Sequence, residues 1–343
     1  MKKQILLSAI ILTVMLLLPK PSLAKQTFHW VNPQEINITA TGWQTYDLDD
    51  YIFGLGSDVT GVMLHIFTDP STTRTFNLRK YGSSDNRPRE QYFDAHLWGI
   101  TGVDSEHRFQ IYTNDTDFRP YVIGYTTTGV TFFTNATEFG GSMTAGSWQD
   151  IDTSSIVPSN AIGLIWEYSY SGSASDPYGF RNNGSNDTVS ARGTYQSWAI
   201  IGCDSSQICE GYKDSTSMDF WLIGYITDGA VFHVNDIDRS INSNEGTWQD
   251  ITCSTGAAGV FICIHTSDNY DHGLRRKTDS AFDTEVSRPV YTDWAFIGGD
   301  ANYQIQGRTD DPSFRTDYYE VGYATSPFSV KAEGIEAEAI EID

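Results

Sequence analysis

The chain is predicted to be all-β: three tandem antiparallel β-sandwich modules of about 100 residues each, with jelly-roll or Greek-key connections. Three observations predict this. A set of landmark residues recurs three times in the same order. The stretches between landmarks are short, rich in β-branched and aromatic residues, and separated by Gly, Asn, Asp and Ser. No run of ten residues after the N-terminal segment carries the 3.6-residue period of a helix.

Residues 1–24 read as a secretory signal. Lys2 and Lys3 precede an apolar run from Ile5 to Leu18, and Ser22-Leu23-Ala24 offers the small residues a signal peptidase accepts. The run falls short of the roughly 20 residues that span a bilayer, and no second apolar segment approaches that length. A secreted protein with no membrane insertion after signal removal is expected. Residues 25–42 form a lead segment before the first landmark.

Each repeat opens on a tryptophan–glutamine pair: Trp43-Gln44, Trp148-Gln149 and Trp248-Gln249. A glycine heading an apolar run follows, at Gly61, Gly163 and Gly259. Next come Arg79, Arg181 and Arg275 in polar surroundings. A second tryptophan with Gly-x-Asp after it recurs as Trp98 with Gly102 and Asp104, Trp198 with Gly202 and Asp204, and Trp294 with Gly298 and Asp300. Gly124-Tyr125, Gly224-Tyr225 and Gly322-Tyr323 close the units. A period near 100 residues is too long for a solenoid or propeller blade and matches an autonomous domain. The units are placed at 43–140, 147–240 and 247–330, joined by the Gly- and Ser-bearing linkers 140–146 and 240–246, with an acidic tail at 331–343. In the second unit the strands are expected at 162–170, 195–202, 208–212, 220–226 and 231–235.

These landmarks resemble the W-x-D … R-x-x-G-S … W-x-x-x-G-x-D … G-Y repeats of uncharacterised secreted and phage fibre-like proteins. Arg79-Lys80-Tyr81-Gly82-Ser83 and Val103-Asp104-Ser105 carry the likeness, while Arg275-Arg276-Lys277 departs from it. The resemblance implies an extracellular surface role and brings no activity with it.

The charge narrows the partners. Lys and Arg number 22 against 44 Asp and Glu, a net charge of −22, which disfavours nucleic acid and anionic lipid surfaces. Four cysteines in an exported chain predict two local disulfides, Cys203–Cys209 and Cys253–Cys263. Acidic pairs such as Asp310-Asp311, Asp214 with Asp219, and Asp236 with Asp238 offer oxygen ligands for Ca²⁺.

No Gly-x-Ser-x-Gly elbow, His-Glu-x-x-His, phosphate loop or dinucleotide fingerprint occurs, and the threefold recurrence suits binding modules better than an enzyme. Trp98, Trp198 and Trp294 read as core residues. Arg79, Arg181 and Arg275 read in two ways: bidentate clamps for a carboxylated sugar, or ion pairs to Asp104, Asp204 and Asp300. Further ligand-facing candidates are Tyr81, Tyr92, Tyr178 and Tyr270. The expected function is non-catalytic extracellular recognition of glycans, or assembly with copies of itself into a filament or surface layer. Tandem copies would raise weak affinities through effective concentration.

Overall fold

The computed structural model describes residues 26–67, 73–91, 96–172, 176–188, 191–192, 195–241, 246–266, 272–277, 292–309 and 316–325. The expected signal segment 1–24, the tail 331–343, Tyr92, Tyr270 and Asp310-Asp311 lie outside them.

The first unit contains β1 (Phe28–Glu35), β2 (Gly42–Asp47), β3 (Val59–Phe67), β4 (Arg74–Lys80), β5 (Arg89–Gln91), β6 (His96–Gly102), β7 (Arg108–Thr113) and β8 (Arg119–Thr127). The second contains β9 (Val130–Glu138), β10 (Gln149–Asp152), β11 (Gly163–Tyr170), β12 (Pro177–Asn182), β13 (Ala191–Arg192), β14 (Gln196–Gly202), β15 (Ile208–Lys213) and β16 (Met218–Ile226). The third contains β17 (Ala230–Asp238), β18 (Gln249–Thr252), β19 (Ala257–Thr266), β20 (His272–Arg276), β21 (Thr292–Gly298), β22 (Gln304–Thr309) and β23 (Thr316–Thr325).

Strand order within each unit is that of a jelly roll. The inner sheet of the first unit runs β1-β8-β3-β6 and the outer sheet β2-β7-β4-β5, all antiparallel. The second unit repeats this as β9-β16-β11-β14 and β10-β15-β12-β13, and the third as β17-β23-β19-β21 with β18-β22-β20. The period-2 alternation expected of half-buried strands appears plainly in β7, β15 and β22. In the inner sheets the central strands are buried on both faces instead, as in β11.

Pairing places the units differently from the landmark search. The lead segment 25–42 supplies β1 to the first unit's own inner sheet, and Val130–Glu138 belongs to the second unit through β16. The chain passes between units at the short turns around Gly129 and Gly229. The opening strand carries none of the repeated residues, so a search keyed to tryptophan began one strand late. The segment 140–146 links β9 to β10 inside the second unit.

The burial of both inner-sheet faces has a cause in the neighbouring unit. The opening strand of each unit lays an aromatic ring on the preceding one: Phe132 of β9 covers Gly61 and Gly102, Phe232 of β17 covers Gly163 and Gly202, and Trp30 of β1 covers Gly259 and Gly298. A Cβ on Gly102, Gly202 or Gly298 would lie 2.5, 2.6 and 2.7 Å from those side chains, closer than carbon atoms approach. The glycines face each other across the ladder, Gly61 opposite Gly102, Gly163 opposite Gly202, Gly259 opposite Gly298. The first unit thus leans on the third, and the three close into a ring.

The strands that carry the second tryptophans, β6, β14 and β21, contact one another at its centre. Trp98, Trp198 and Trp294 are 3%, 0% and 2% exposed, as expected of core residues. Trp198 sets its edge on Phe76 of the first unit at 6.2 Å, and Trp294 on Phe180 of the second at 6.3 Å. Their strand-opposite neighbours differ. His65 faces His96 (2.8 Å between Nε2 and Nδ1), and burial lowers both imidazoles, His65 to about 3, so both are neutral. Glu167 accepts from Gln196 and Asn77 and pairs with Arg87 at 2.6 Å across the first junction. At the third such position stands Cys263, opposite Trp294.

None of the four cysteines is in a disulfide, which departs from the expected Cys203–Cys209 and Cys253–Cys263 pairs. Cys203 points at the carbonyl of Ala161 while Cys209 faces the core of β15. Cys263 lies in the inner sheet while Cys253 follows β18 in the other sheet and donates to the carbonyl of Ile251. Nearness in sequence is undone because the partners belong to different sheets. Burial pushes the thiols of Cys203 and Cys253 up to about 12, so both stay protonated.

Removing a ring contact tests the closure. Phe132→Ala is expected to cost about 3–5 kcal/mol, and Gly202→Leu to cost at least as much by displacing Phe232. Denaturant unfolding measures both; a change under about 0.5 kcal/mol in either would show that the junctions do not hold the ring.

Candidate functional site

The sequence offers the repeated arginines as sugar clamps or as partners of the repeated aspartates. The fold gives each of them a tryptophan face and an acceptor on the adjacent strand. Arg79 lies over the Trp43 ring at 3.9 Å, Arg181 over Trp148 at 4.3 Å and Arg275 over Trp248 at 4.2 Å. Each Nε then donates sideways to the adjacent strand, to Gln110 (2.8 Å), Glu210 and Gln306 (2.9 Å) respectively. Nη1 of Arg79 and Arg181 donates to the carbonyls of Asp85 and Asp187 (2.5 Å each). The guanidinium edge that a carboxylated sugar would need is largely spent on fixing the loop after β4 and β12.

That loop is docked at its tip. Asn135 Oδ1 accepts the Ser84 amide and Asn235 Oδ1 the Asn186 amide, each at 2.8 Å. Asp85 and Asp187 return a carboxylate to the amides of Ala136 (2.8 Å) and Asp236 (2.7 Å). In the first two units the arginine, its tryptophan and the Gly-Ser-x-Asp turn therefore lock the loop onto the opening strand of the next unit.

The repeated aspartates close hairpins. Asp104, Asp204 and Asp300 each accept two backbone amides through Oδ1: Glu106 and Arg108, Ser206 and Ile208, Asn302 and Gln304, at 2.8–3.0 Å. Side chains that bond to nearby amides in this way stabilise tight turns. The last loop residue is left-handed in all three, with φ of 58°, 61° and 60° at His107, Gln207 and Tyr303. Asp204 takes its further bond from Asn183 at 2.7 Å rather than from Arg181.

Among the candidate tyrosines, Tyr178 is fully buried and stacked on Tyr168 at 3.7 Å, out of a ligand's reach. Tyr81 is half-buried under Arg108 at 4.0 Å. No group of three His, Cys, Asp or Glu among the described residues comes together as a metal cage. Of the acidic pairs proposed for Ca²⁺, Asp214 accepts from the Tyr212 hydroxyl, Asp219 is raised by burial and by Glu138, and Asp236 is raised to about 7 by burial and then by Asp187.

The threefold pattern breaks at one place that sequence reasoning passed over. Between the first two strands of the sandwich's long crossover, the connection runs over residues 48–58 in the first unit and 153–162 in the second. It covers the left-handed hairpin residue in both: Asp49 meets His107 at 3.2 Å, and the Ser159 carbonyl accepts from Gln207 at 3.0 Å. In the third unit the connection shrinks to residues 253–256. Tyr303 is left uncovered, and a pocket of about 330 Å³ opens between the third unit and β1, lined by Gln26, Trp30, Ala257, Ala258, Arg276, Gly299, Asp300, Ala301 and Tyr303. The volume falls in the range of small-ligand sites. Comparing connection lengths between repeats would have found it.

No family model matches the chain, and no curated protein matches it. Among solved structures, a chain from the X-ray structure of the entire lipid-containing bacteriophage PM2 aligns over 86% of this chain and 87% of that one at 9% identity, with a TM-score of 0.16; a likeness this slight carries no argument.

Two predictions follow from the loop locks. Arg181→Ala should lower stability by about 3 kcal/mol, since Glu210 loses its partner while half-buried, and a double-mutant cycle with Glu210→Gln should recover part of that loss. The Asp236 carboxyl, raised from its ordinary 3.8 to about 7, binds its proton more tightly folded than unfolded. Its cost to stability is absent below pH 4, grows as pH rises through 7, and is constant above. The equivalent residue in the first unit is Ala136. Asp236→Ala should therefore raise the unfolding midpoint at pH 8 and leave it unchanged at pH 4.

Proposed function

We propose that this is a secreted, non-catalytic protein that recognises an extracellular glycan through the pocket between its first and third units. One observation carries the reading: the third unit has shed the loop that covers the corresponding place in its two sisters, and what it exposes is suited to a sugar. The half-buried Trp30 and Tyr303 present ring surface, the wall that pyranose C–H faces pack on. The Ala258 carbonyl, which accepts the Gly299 amide at 2.9 Å and has a second lone pair, and the carboxylate of Asp300 supply acceptors for hydroxyls. Concave, part-apolar sites with a few convergent polar groups are the usual form of small-ligand recognition.

Export is supported by the segment 1–24. The signal reading also bears on the pocket, because Gln26 at its rim follows the expected cleavage point after Ala24 by two residues. Removal of the signal would leave the pocket beside a new N-terminus.

A glycan array probed with the full mature chain, with and without Ca²⁺, tests the reading. Reproducible binding is expected, and Tyr303→Ala should weaken it about tenfold or more without altering the unfolding midpoint. Replacing residues 253–256 by the longer 153–162 connection should close the pocket and abolish binding. Ordered self-assembly with no glycan affinity would favour a filament or surface-layer subunit instead.

A further inference from the structure

We infer that the ligand of this pocket is acidic: a pyranose bearing a carboxylate, held by Arg276. The inference rests on the recognition reading above and adds the chemical class. It stands on a comparison of three equivalent positions. Lys80, Asn182 and Arg276 each end the strand that follows the repeated arginine by one residue. The first two are used inside the protein, Lys80 donating to the carbonyl of Phe132 and Asn182 to that of His233, each at 3.4 Å. They tie their strand to the opening strand of the next unit.

Arg276 departs from this. It is the longest of the three side chains, it lines the pocket, and no hydrogen bond or ion pair of its side chain is found among the described residues. Its Nε is shut off from solvent with no partner. An arginine is always charged, and burying part of it unpaired is costly. The cost is harder to understand in a chain where 44 acids surround 22 bases, since a neighbouring carboxylate would have been easy to supply. Arg276 lines that pocket, and a planar guanidinium matches a carboxylate in a bidentate pair.

The remaining groups limit what else the ligand carries. Asp300 already holds two backbone amides on Oδ1, so its Oδ2 is the acceptor left for a hydroxyl. A simple inorganic anion would meet that carboxylate as a like charge and leave Trp30 and Tyr303 with nothing to cover. A ring with its acid at one end and hydroxyls at the other uses all four side chains.

Calorimetry on the full mature chain decides it, with a glucuronate-terminated oligosaccharide and its carboxyl-reduced counterpart as probes. The acidic sugar should bind roughly tenfold to a hundredfold more tightly, as expected of one charge-assisted pair. Arg276→Gln should erase that preference, with the two sugars then binding alike, and should keep or raise the unfolding midpoint because it removes an unpaired, partly buried charge. Rising salt should weaken only the acidic sugar. Equal affinity for the two sugars in the native chain, or an acid preference that survives Arg276→Gln, would overturn the assignment while leaving recognition standing. If neither sugar is bound and the glycan array is also blank, the recognition reading fails together with it.

Discussion

The architecture depends on aromatic rings lying on bare backbone. Phe132, Phe232 and Trp30 each occupy the space of two absent side chains, and the glycine pairs they cover can be nothing larger. A jelly roll alone would leave the outer face of its inner sheet wet. Here that face is covered by the next unit, so its strands turn apolar on both sides and the central tryptophans become buried although they point away from their own sandwich. The contact also explains the third glycine set: Gly224 and Gly322 let the opening strand pass with its carbonyls 2.5 and 2.6 Å from where a Cβ would be. Because the last contact returns from β1 to the third unit, no unit has a free end and the core is continuous around the ring.

Much of this was legible, though for partly different reasons. The all-β class, the three units and the burial of the second tryptophans follow from periodicity and repetition, which report packing directly. The partners of Arg181 and Asp204 did not follow. Recurrence at fixed spacing marks residues that share an environment, not residues that touch each other. Arginine recurs because it lies on the opening tryptophan, and aspartate recurs because a left-handed hairpin needs a carboxylate to gather its amides. The disulfides failed for a related reason: spacing along the chain says nothing about which sheet a residue enters, and Cys203 and Cys209 enter different ones. The ring itself was hidden because the covering residues, two phenylalanines and a tryptophan, sit in a strand that carries none of the tryptophan, arginine, aspartate or Gly-Tyr landmarks.

Duplication also sets where chemistry can vary. Positions that bear the ring's weight are the same in all three units, whereas the groups opposite the central tryptophans are a histidine, a glutamate and a cysteine. The glutamate is paired with Arg87 across a junction and the histidine with His96 inside its own unit. Such buried polar groups are accepted only when fully bonded, so each unit solved the same steric position with its own partner set. The result is three units that share a skeleton and differ in their interior wiring, which makes them non-interchangeable in the ring.

The same logic bears on how the protein would bind. Tandem modules suggest avidity, in which three weak identical sites act together through effective concentration. The structure places the arginines that would form such sites under internal load, and among the described residues it opens a pocket of ligand size where the third unit has lost its covering connection. Affinity at that pocket has to come from the site's own preorganisation rather than from three equal copies. The ring is suited to that. Trp30 is fixed by the two glycines beneath it, Arg276 by its ladder in β20, and Asp300 and Tyr303 by the hairpin that the aspartate closes. The two duplicated sister units then act as the frame that returns β1 to the third, and the pocket exists because the chain closes on itself.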